Sequence, residues 1–173
     1  MLAVEKFNPG KDVWIGVIFH GRIQGIGFAF TRGELLKRVE NLAEFLRRRN
    51  VAVSLDVQPS NYTELVYRVL IGELDNEEVL PELSFEGVTP FERRVYEWLT
   101  KNVKRGELIT YGGLAKALGT SPRAIGGAMR RNPYPIVVPC HRVVSKDGIG
   151  YYSSGIEEKR FLLRLEGVDG WTG

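Results

Sequence analysis

The chain has 173 residues, of which 43% are hydrophobic and 26% charged, as is ordinary for a globular protein. Its single cysteine excludes an intramolecular disulfide, and one cysteine with two histidines cannot build the usual Cys/His zinc site, so we predict no metal. The longest apolar run, residues 13–19, is much shorter than a membrane span, and residues 1–10 do not have the pattern of a signal peptide. We therefore expect a cytoplasmic, monomeric protein without a membrane partner.

The first half of the chain predicts a small sheet with helices. Two apolar segments with polar breaks predict a pair of strands that turns at His20 and Gly21. From Thr31 the apolar residues recur with helical spacing, and three arginines load the last turn, where the helix dipole favours positive charge. The acidic segment 75–87, which contains Pro81, is the best candidate for a linker. In this half we predict strands at residues 13–19, 23–30 and 51–57 and helices at residues 31–49 and 62–70.

The second half opens with a helix-start signal, in which Thr89 is the N-cap, Pro90 is the first helical residue and Glu92 is the third. Two short helices follow, joined by a tight turn at Gly119, and this pattern is typical of a helix-turn-helix. A last helix begins at Gly155. The helices predicted after the first one cover residues 109–118, 120–130 and 155–166.

Charge is distributed unequally between the two halves. Residues 1–88 carry 10 Lys and Arg against 13 Asp and Glu, a net charge of −3, whereas residues 89–173 carry 14 against 8, a net charge of +6. A basic half attached to a mildly acidic one fits a polyanion-binding domain with a supporting domain, although such an imbalance can also serve solubility alone. We predict a supporting α/β domain at residues 1–80, a linker at 81–88 and a second domain at 89–173.

The cysteine, Cys140, lies between two apolar β-branched runs, with Pro139 before it and His141 and Arg142 after it. Positive neighbours lower the pKa of a thiol, and the thiolate is the nucleophile, so this setting favours a reactive sulfur at the end of a buried strand. An inert core cysteine is the alternative, because free cysteines are among the most buried residue types. On an extended backbone adjacent side chains point to opposite sides, which disfavours a direct pair of Cys140 and His141.

The helix predicted at residues 120–130 combines small residues with arginines. Ala124 and Gly127 lie on it, with Arg123 near its start and Arg130 at its end. Small residues allow another surface to approach the backbone closely, and arginines at both ends could bind phosphates. Tight packing against a neighbouring helix is the alternative explanation of the small residues.

Three segments together resemble the active-site signature of the O6-alkylguanine-DNA alkyltransferases, also called methylated-DNA–protein-cysteine methyltransferases. They are Gly126-Gly127-Ala128-Met129-Arg130-Arg131-Asn132-Pro133, Pro139-Cys140-His141-Arg142-Val143 and Gly150-Tyr151-Tyr152-Ser153-Ser154-Gly155. The resemblance runs from about Thr89 to Gly167. It implies a mixed α/β fold, with an N-terminal sheet-and-helix domain like that of ribonuclease H and a mostly helical, winged-helix-like C-terminal domain that contains the helix-turn-helix.

The resemblance implies stoichiometric repair, in which Cys140 takes the alkyl group from O6-alkylguanine, and from O4-alkylthymine, in duplex DNA. The counterpart of His141 takes the thiol proton through a water, the counterpart of Glu166 orients that imidazole, and the counterpart of Asn132 lies in a hinge behind the nucleophile. Glu166 ends a helix, where a carboxylate is electrostatically unfavourable, and this indicates a specific partner. The thioether product offers water no carbonyl to attack, so each molecule reacts once, and no cofactor is required.

The resemblance also implies that the helix-turn-helix enters the minor groove and that the damaged base is flipped out. In the family the counterpart of Arg123 replaces the extruded nucleotide, and the counterpart of Tyr111 crowds the flanking phosphate. Tyr152 would pack against the purine and Ser153 would donate to guanine O6, while Met129 and Pro135 would line the alkyl pocket. The DNA- and base-binding residues implied in this way are Tyr111, Arg123, Ala124, Gly127, Met129, Arg130, Lys146, Tyr152 and Ser153.

Other functions explain less of the sequence. A protein that recognises alkylated bases without chemistry would lack the nucleophile, whereas Cys140 is present. A cysteine hydrolase explains neither the adjacent Cys and His nor the helix-turn-helix. A zinc base deaminase needs a second cysteine and a His-x-Glu pair, which this chain lacks. A transcription factor needs no thiol, imidazole and carboxylate together.

Overall fold

A computed structural model describes residues 1–150, 152 and 154–168 of the chain. It confirms the mixed α/β class, with a small antiparallel sheet in the first half and mainly helices in the second. In this part of the chain no helix is long and apolar enough to cross a membrane. The strands are β1 (Leu2–Phe7), β2 (Val13–His20), β3 (Arg22–Ala29), β4 (Ile109–Thr110) and β5 (Val143–Val144). The α-helices are α1 (Arg32–Arg48), α2 (Tyr62–Leu70), α3 (Asn76–Val79), α4 (Pro90–Asn102), α5 (Tyr111–Leu118), α6 (Pro122–Arg130) and α7 (Ile156–Leu165).

Strands β1, β2 and β3 form an antiparallel sheet in that order. The pair of β2 and β3, which turns between His20 and Arg22, confirms the sequence prediction, whereas β1 was not predicted because its sequence has no clean alternation. Helix α1 covers one face of the sheet very closely. A Cβ added to Gly25 would lie 2.6 Å from Leu42 Cδ2, so the position of α1 depends on a residue without a side chain.

The strand predicted at residues 51–57 is wrong. Val57 makes an isolated bridge to Leu2, while the backbone carbonyls of Ala52 and Val53 accept hydrogen bonds from the side chains of Gln24 and Arg47. Side chains therefore occupy acceptors that a neighbouring strand would need. The alternation seen in the sequence reflects apolar side chains that pack beside α1 rather than a strand ladder.

The helices follow their local signals closely. Helix α2 has the predicted bounds, and α4 begins with the predicted capping box, in which Thr89 and Glu92 bond to each other's backbone. Helices α5 and α6 form the predicted helix-turn-helix, with Gly119 ending α5 in the left-handed conformation at φ 66°. Ile109 and Thr110, predicted as helical, form strand β4 instead, because they pair in parallel with β5.

One hydrophobic core joins the two halves of the chain. Val13 and Ile15 of β2 belong to the same buried cluster as Val95 and Leu99 of α4. The segment predicted as a linker takes part in this core, since it contains α3 and a 3-10 turn and buries Leu83. The segment thus connects the halves as packed structure, and the domain boundaries at residues 80 and 89 stay a prediction.

A buried carboxylate also links the halves. Glu92 of α4, whose side chain is 2% exposed, accepts hydrogen bonds from Arg49 at the end of α1 and from Arg131 at the end of α6. Burial alone would raise the pKa of Glu92, but these two guanidinium groups and the backbone N–H of Thr89 outweigh it and lower the pKa to about 2.

We expect Glu92→Gln to lower the free energy of unfolding by about 3 kcal/mol at neutral pH, because it leaves two guanidinium groups without their anion. The pKa of Glu92 lies below its ordinary value of 4.5 in the folded chain. The stabilising contribution is therefore complete above about pH 5 and is lost as the pH falls towards 2. Chemical denaturation of both proteins across this range should show the difference in unfolding free energy shrinking with acid.

Glu97→Gln is the control for this prediction. Glu97 lies on the same helix and pairs with Arg93 at 2.9 Å near the surface, so its loss should cost below about 0.5 kcal/mol. A loss for Glu92→Gln no larger than that for Glu97→Gln would contradict the assigned role.

Candidate active site and DNA-binding surface

The segment between α6 and β5 carries the thiol, and hydrogen bonds hold its backbone in place. The Asn132 side chain donates to the carbonyl of Val138 at 3.1 Å and accepts from the N–H of Tyr134 at 2.9 Å. The carbonyl of Pro133 accepts from the N–H of Ile26 in β3 at 2.8 Å. Asn132 therefore folds the segment back on itself, and the sheet of the first half supports it.

Ile136, in the same segment, has a left-handed backbone conformation with φ 76°. A β-branched residue rarely adopts this conformation, and such strain costs about 1–3 kcal/mol. Strain of this kind persists only where surrounding contacts over-determine the backbone, and it is often found at functional sites. The segment before the thiol is therefore held in a shape that its own residues do not prefer.

Cys140 begins a 3-10 turn, Cys140–Arg142, and does not end an extended strand as the sequence predicts. Pro139 has no N–H to offer a strand ladder, and its carbonyl accepts from the N–H of Arg142 at 2.9 Å, which closes the turn. The argument from an extended backbone, which placed Cys140 and His141 on opposite sides, therefore does not apply.

Cys140 is buried, with 5% of the residue exposed. Burial raises the pKa of Cys140, and the Asn132 amide and the charge of Lys159 lower it without outweighing burial. The lowered pKa expected from positive neighbours is therefore wrong. The physical reason is that the Arg142 guanidinium, adjacent in sequence, is directed at Glu166 instead of the sulfur.

Glu166, just after the end of α7, binds two neighbours of the cysteine. Its Oε2 lies 3.0 Å from His141 Nε2 and 2.7 Å from Arg142 Nη2, and its Oε1 accepts from Arg142 Nε at 2.9 Å. Burial alone would raise the pKa of Glu166, but the neighbouring His141 and Arg142 hold it well below its ordinary value. A carboxylate at the end of a helix is unfavourable without a specific partner, and Glu166 has two partners here, His141 and Arg142.

This arrangement assigns the tautomer of His141. An ionised carboxylate can only accept, so Nε2 carries the proton and Nδ1 is left as the acceptor. Burial lowers the pKa of His141 more than Glu166 raises it, which favours the neutral ring. Nδ1 is buried and has no hydrogen-bond partner among the described residues. The side chain is therefore prepared to accept a proton.

Two charged residues at the site escaped the sequence reasoning. The sequence indicates Arg142 only as a positive neighbour of the thiol, whereas the structure shows it as the ion-pair partner of Glu166. Lys159 is buried on α7 and donates from Nζ to the carbonyl of Val143 at 2.8 Å, and burial lowers its pKa to about 8. Lys159 lies three residues before Leu162, on the apolar face of the predicted helix, and this position is the signal that could have identified it as buried.

The candidate DNA-binding surface is the outer side of α6. Arg123 and Arg130 are exposed at its two ends, and Ala124 and Gly127 are half-buried between them. A Cβ added to Gly127 would lie 3.0 Å from the guanidinium of Arg131, which packs across the helix towards Glu92. Gly127 therefore fits the explanation of tight packing, because it gives room to Arg131. Ala124 lies at the surface and fits the explanation that another molecule approaches the helix closely.

The remaining predicted contact residues lie in different surroundings. Tyr152 is buried and its hydroxyl lies near the thiol, although it makes no hydrogen bond of normal geometry with a described residue. Met129 is buried in the core, Tyr111 begins α5 beside Gly150, and Lys146 is exposed. The prediction for Ser153 falls outside the described residues.

A cleft of about 300 Å³ opens beside the segment between α6 and β5. Asn132, Pro135 and Ser154 line one side, and Leu42 and Phe45 of α1 line the other. The two halves of the chain therefore form this cleft together. Within residues 1–150, 152 and 154–168, no three His, Cys, Asp or Glu side chains are placed to hold a metal ion.

A buried thiol with an imidazole–carboxylate pair, set behind a helix-turn-helix, defines a class of DNA-binding proteins that act through a cysteine. Residues 1–84 match the family model described as "Methylated DNA-protein cysteine methyltransferase, N-terminal". Residues 90–168 match the model described as "6-O-methylguanine DNA methyltransferase, DNA binding domain". The chain belongs to the family of methylated-DNA–protein-cysteine methyltransferases, which are DNA repair enzymes, and its second half is the DNA-binding domain of that family.

Relatives and solved structures agree over nearly the whole chain. A methylated-DNA–protein-cysteine methyltransferase from Thermococcus gammatolerans is 82% identical over 100% of both chains, and one from Thermococcus kodakarensis is 74% identical over 99% of both. The crystal structure of O6-methylguanine-DNA methyltransferase from Pyrococcus kodakaraensis KOD1 has a TM-score of 0.97 at 74% identity, covering 97% of this chain and 100% of that one. Mycobacterium tuberculosis OGT in complex with DNA has a TM-score of 0.67 at 26% identity, covering 96% and 92%.

We expect the rate at which iodoacetamide modifies Cys140 to keep rising with pH beyond 9.0, the ordinary pKa of the thiol, because burial raises that pKa in the folded chain. Intact-mass measurements over a pH series give this rate directly, since the chain has one cysteine. Cys140→Ser is the control, and it measures the slower modification of amines at high pH, which is subtracted from the wild-type rate. A plateau reached near neutral pH would show a preformed thiolate and contradict the prediction.

Proposed function

We propose that this protein repairs duplex DNA by moving the alkyl group of O6-alkylguanine, and of O4-alkylthymine, to Cys140 once per molecule. The observation that carries the proposal is the buried thiol beside Asn132, with the ionised Glu166 holding His141 as a proton acceptor. Membership of the family supports DNA as the partner, and the names of the relatives give methylated DNA as their substrate.

The proton of the thiol moves first. It passes through one water to His141 Nδ1, the ring nitrogen that Glu166 leaves unprotonated. The charge that develops on the imidazole is stabilised by the carboxylate of Glu166, which stays ionised. The thiolate therefore forms only as the reaction proceeds, which fits a thiol whose pKa is raised at rest.

The sulfur then attacks the alkyl carbon. A sulfur–carbon bond forms, the carbon–O6 bond breaks, and the electron pair of that bond stays on guanine. The purine takes up one proton and leaves as guanine, which balances the proton given up by the thiol. Tyr152 packs against the purine, and Ser153 donates to O6 as negative charge develops there. The thioether product contains no carbonyl for water to attack, so the reaction ends after one turnover.

Access to the alkyl carbon requires that the base leaves the helical stack, at a cost of a few kcal/mol that is lowest for a badly paired base. In the proposal α6 lies in the minor groove, and the exposed Arg123 takes the place of the flipped nucleotide. Arg130 and Lys146, both exposed, bind phosphates, and such contacts carry no sequence preference. Tyr111 lies near the flanking phosphate and promotes its rotation.

The alkyl group itself lies against Met129 and Pro135. Pro135 borders the cleft of about 300 Å³ between α1 and the segment that follows α6. The apolar side chains of Met129 and Pro135 offer an alkyl group contact without hydrogen bonding, which suits a protein that accepts more than one alkylated base.

We expect mixing with duplex DNA that contains O6-methylguanine to add the mass of one methyl group to the chain and no more. Peptide mapping after intact-mass spectrometry should place the group on Cys140. A duplex with O4-methylthymine should give the same product. Cys140→Ala and an unmodified duplex are the controls, and neither should give a mass gain. Tight, selective binding of the damaged duplex by the wild-type chain without a mass gain would instead indicate a lesion sensor.

We expect Glu166→Gln to lower the saturating rate of methyl transfer by about a hundredfold without changing the Kd for duplex DNA. The amide can donate to His141 Nε2, which favours the wrong tautomer, and it no longer stabilises the imidazolium. Single-turnover kinetics and a binding titration separate the two effects. Glu157→Gln is the matched control, because Glu157 is an exposed carboxylate of α7 that pairs with Arg160. An unchanged transfer rate in Glu166→Gln would remove the residue from the proton path.

A further inference from the structure

Asn76, on the short helix α3, is a buried polar residue with 5% of its surface exposed. Its side-chain nitrogen donates to the backbone carbonyls of Ile136 at 2.8 Å and Val137 at 3.0 Å. Its side-chain oxygen accepts from Arg142 Nη2 at 3.1 Å. One side chain from the first half of the chain therefore binds the segment both before and after Cys140.

These contacts use both donors and the acceptor of the amide. A primary amide has two N–H groups and one carbonyl oxygen, and all of them are directed at the thiol-bearing segment. One of the bound carbonyls belongs to Ile136, the residue with the left-handed φ of 76°. The amide of Asn76 is thus one of the contacts that hold the strained backbone before the thiol.

On the C-terminal side of Cys140, Asn76 accepts one of the hydrogen bonds of Arg142. Nη2 of the guanidinium donates to Asn76 Oδ1 and to Glu166 Oε2, and the same carboxylate oxygen lies 3.0 Å from His141 Nε2. Each member of this chain of contacts is buried or nearly so, and a displaced guanidinium would carry the carboxylate and the imidazole with it.

We propose that Asn76 is a positioning residue for Cys140, which sets the place of the thiol relative to the His141 imidazole. The inference rests on the proposed function, since it gives the first half of the chain a part in that reaction. Asn76 acts through the backbone at Ile136 and Val137 and through Arg142, and it contacts neither the base nor the alkyl group.

A positioning role differs from a purely structural one in what its loss changes. A structural residue changes the stability of the fold and leaves the chemistry of the remaining folded molecules as it was. A positioning residue changes the transfer rate and the ionisation of the thiol in molecules that are still folded. Misplacement of reacting groups by a fraction of an ångström to an ångström commonly lowers rates by about tenfold to a hundredfold.

The test compares two substitutions in the full chain. Asn76→Ala removes all three hydrogen bonds, whereas Asn76→Asp keeps an acceptor for Arg142 and loses the donors to the two carbonyls. Glu78→Ala is the matched control, because it breaks the capping box of the same short helix without touching the thiol-bearing segment. Circular dichroism melting curves define the temperature range in which each protein is folded.

Two readouts are taken inside that range. The first is the saturating rate of methyl transfer from O6-methylguanine in a duplex, together with the Kd for the duplex. The second is the pH profile of Cys140 modification by iodoacetamide, which needs no DNA. We expect both Asn76 variants to lower the saturating rate by about tenfold to a hundredfold with an unchanged Kd. We expect their pH profiles to move to higher pH, since the thiol loses its place beside Asn132.

Glu78→Ala should lower the melting temperature and leave both readouts at wild-type values. Wild-type transfer rates and pH profiles in the folded Asn76 variants would overturn the inference, and so would an equal shift in Glu78→Ala. A wild-type chain that transfers no methyl group would instead refute the proposed function. The iodoacetamide profile would then still report whether Asn76 positions the thiol.

Discussion

The ion pair of Arg142 and Glu166 is the constraint on which the rest of the site depends. Both side chains are buried, and taking two charges out of water costs several kcal/mol for each unless the geometry and the hydrogen bonds are nearly complete. Arg142 meets that condition with four hydrogen bonds, to both oxygens of Glu166, to the carbonyl of Val103 and to Asn76. Elements from both halves of the chain therefore meet at one guanidinium, and the imidazole of His141 is oriented as a result.

The same surroundings keep the reacting groups, Cys140 and His141, neutral and keep the supporting carboxylate of Glu166 ionised. Glu166 stays ionised because its partners are cationic or donate to it, while burial raises the pKa of Cys140 and lowers that of His141. A buried neutral thiol is a weak nucleophile towards molecules from solvent. Its reactivity thus depends on a substrate that is brought to it in the correct orientation.

Sequence reasoning succeeded where the signal is local. Local patterns predicted α2, α4 and the helix-turn-helix, and the resemblance to the family implied that Glu166 would orient His141. It failed where distant partners decide. Ile109 and Thr110 became a strand because of β5. Burial raised the pKa of the Cys140 thiol, and Arg142 does not offset it because its guanidinium binds Glu166, 24 residues away in sequence. Asn76 carried no signal at all, since nothing local distinguishes a buried amide from one in a turn.

The common hydrophobic core has a consequence for how the chain can vary. Two family models divide the sequence near residue 84, yet Val13 and Ile15 pack in the same cluster as Val95 and Leu99. The two halves therefore match separate family models but bury one apolar surface between them. Separating them would expose that surface to water, so the residues on one side of the core constrain which residues fit on the other.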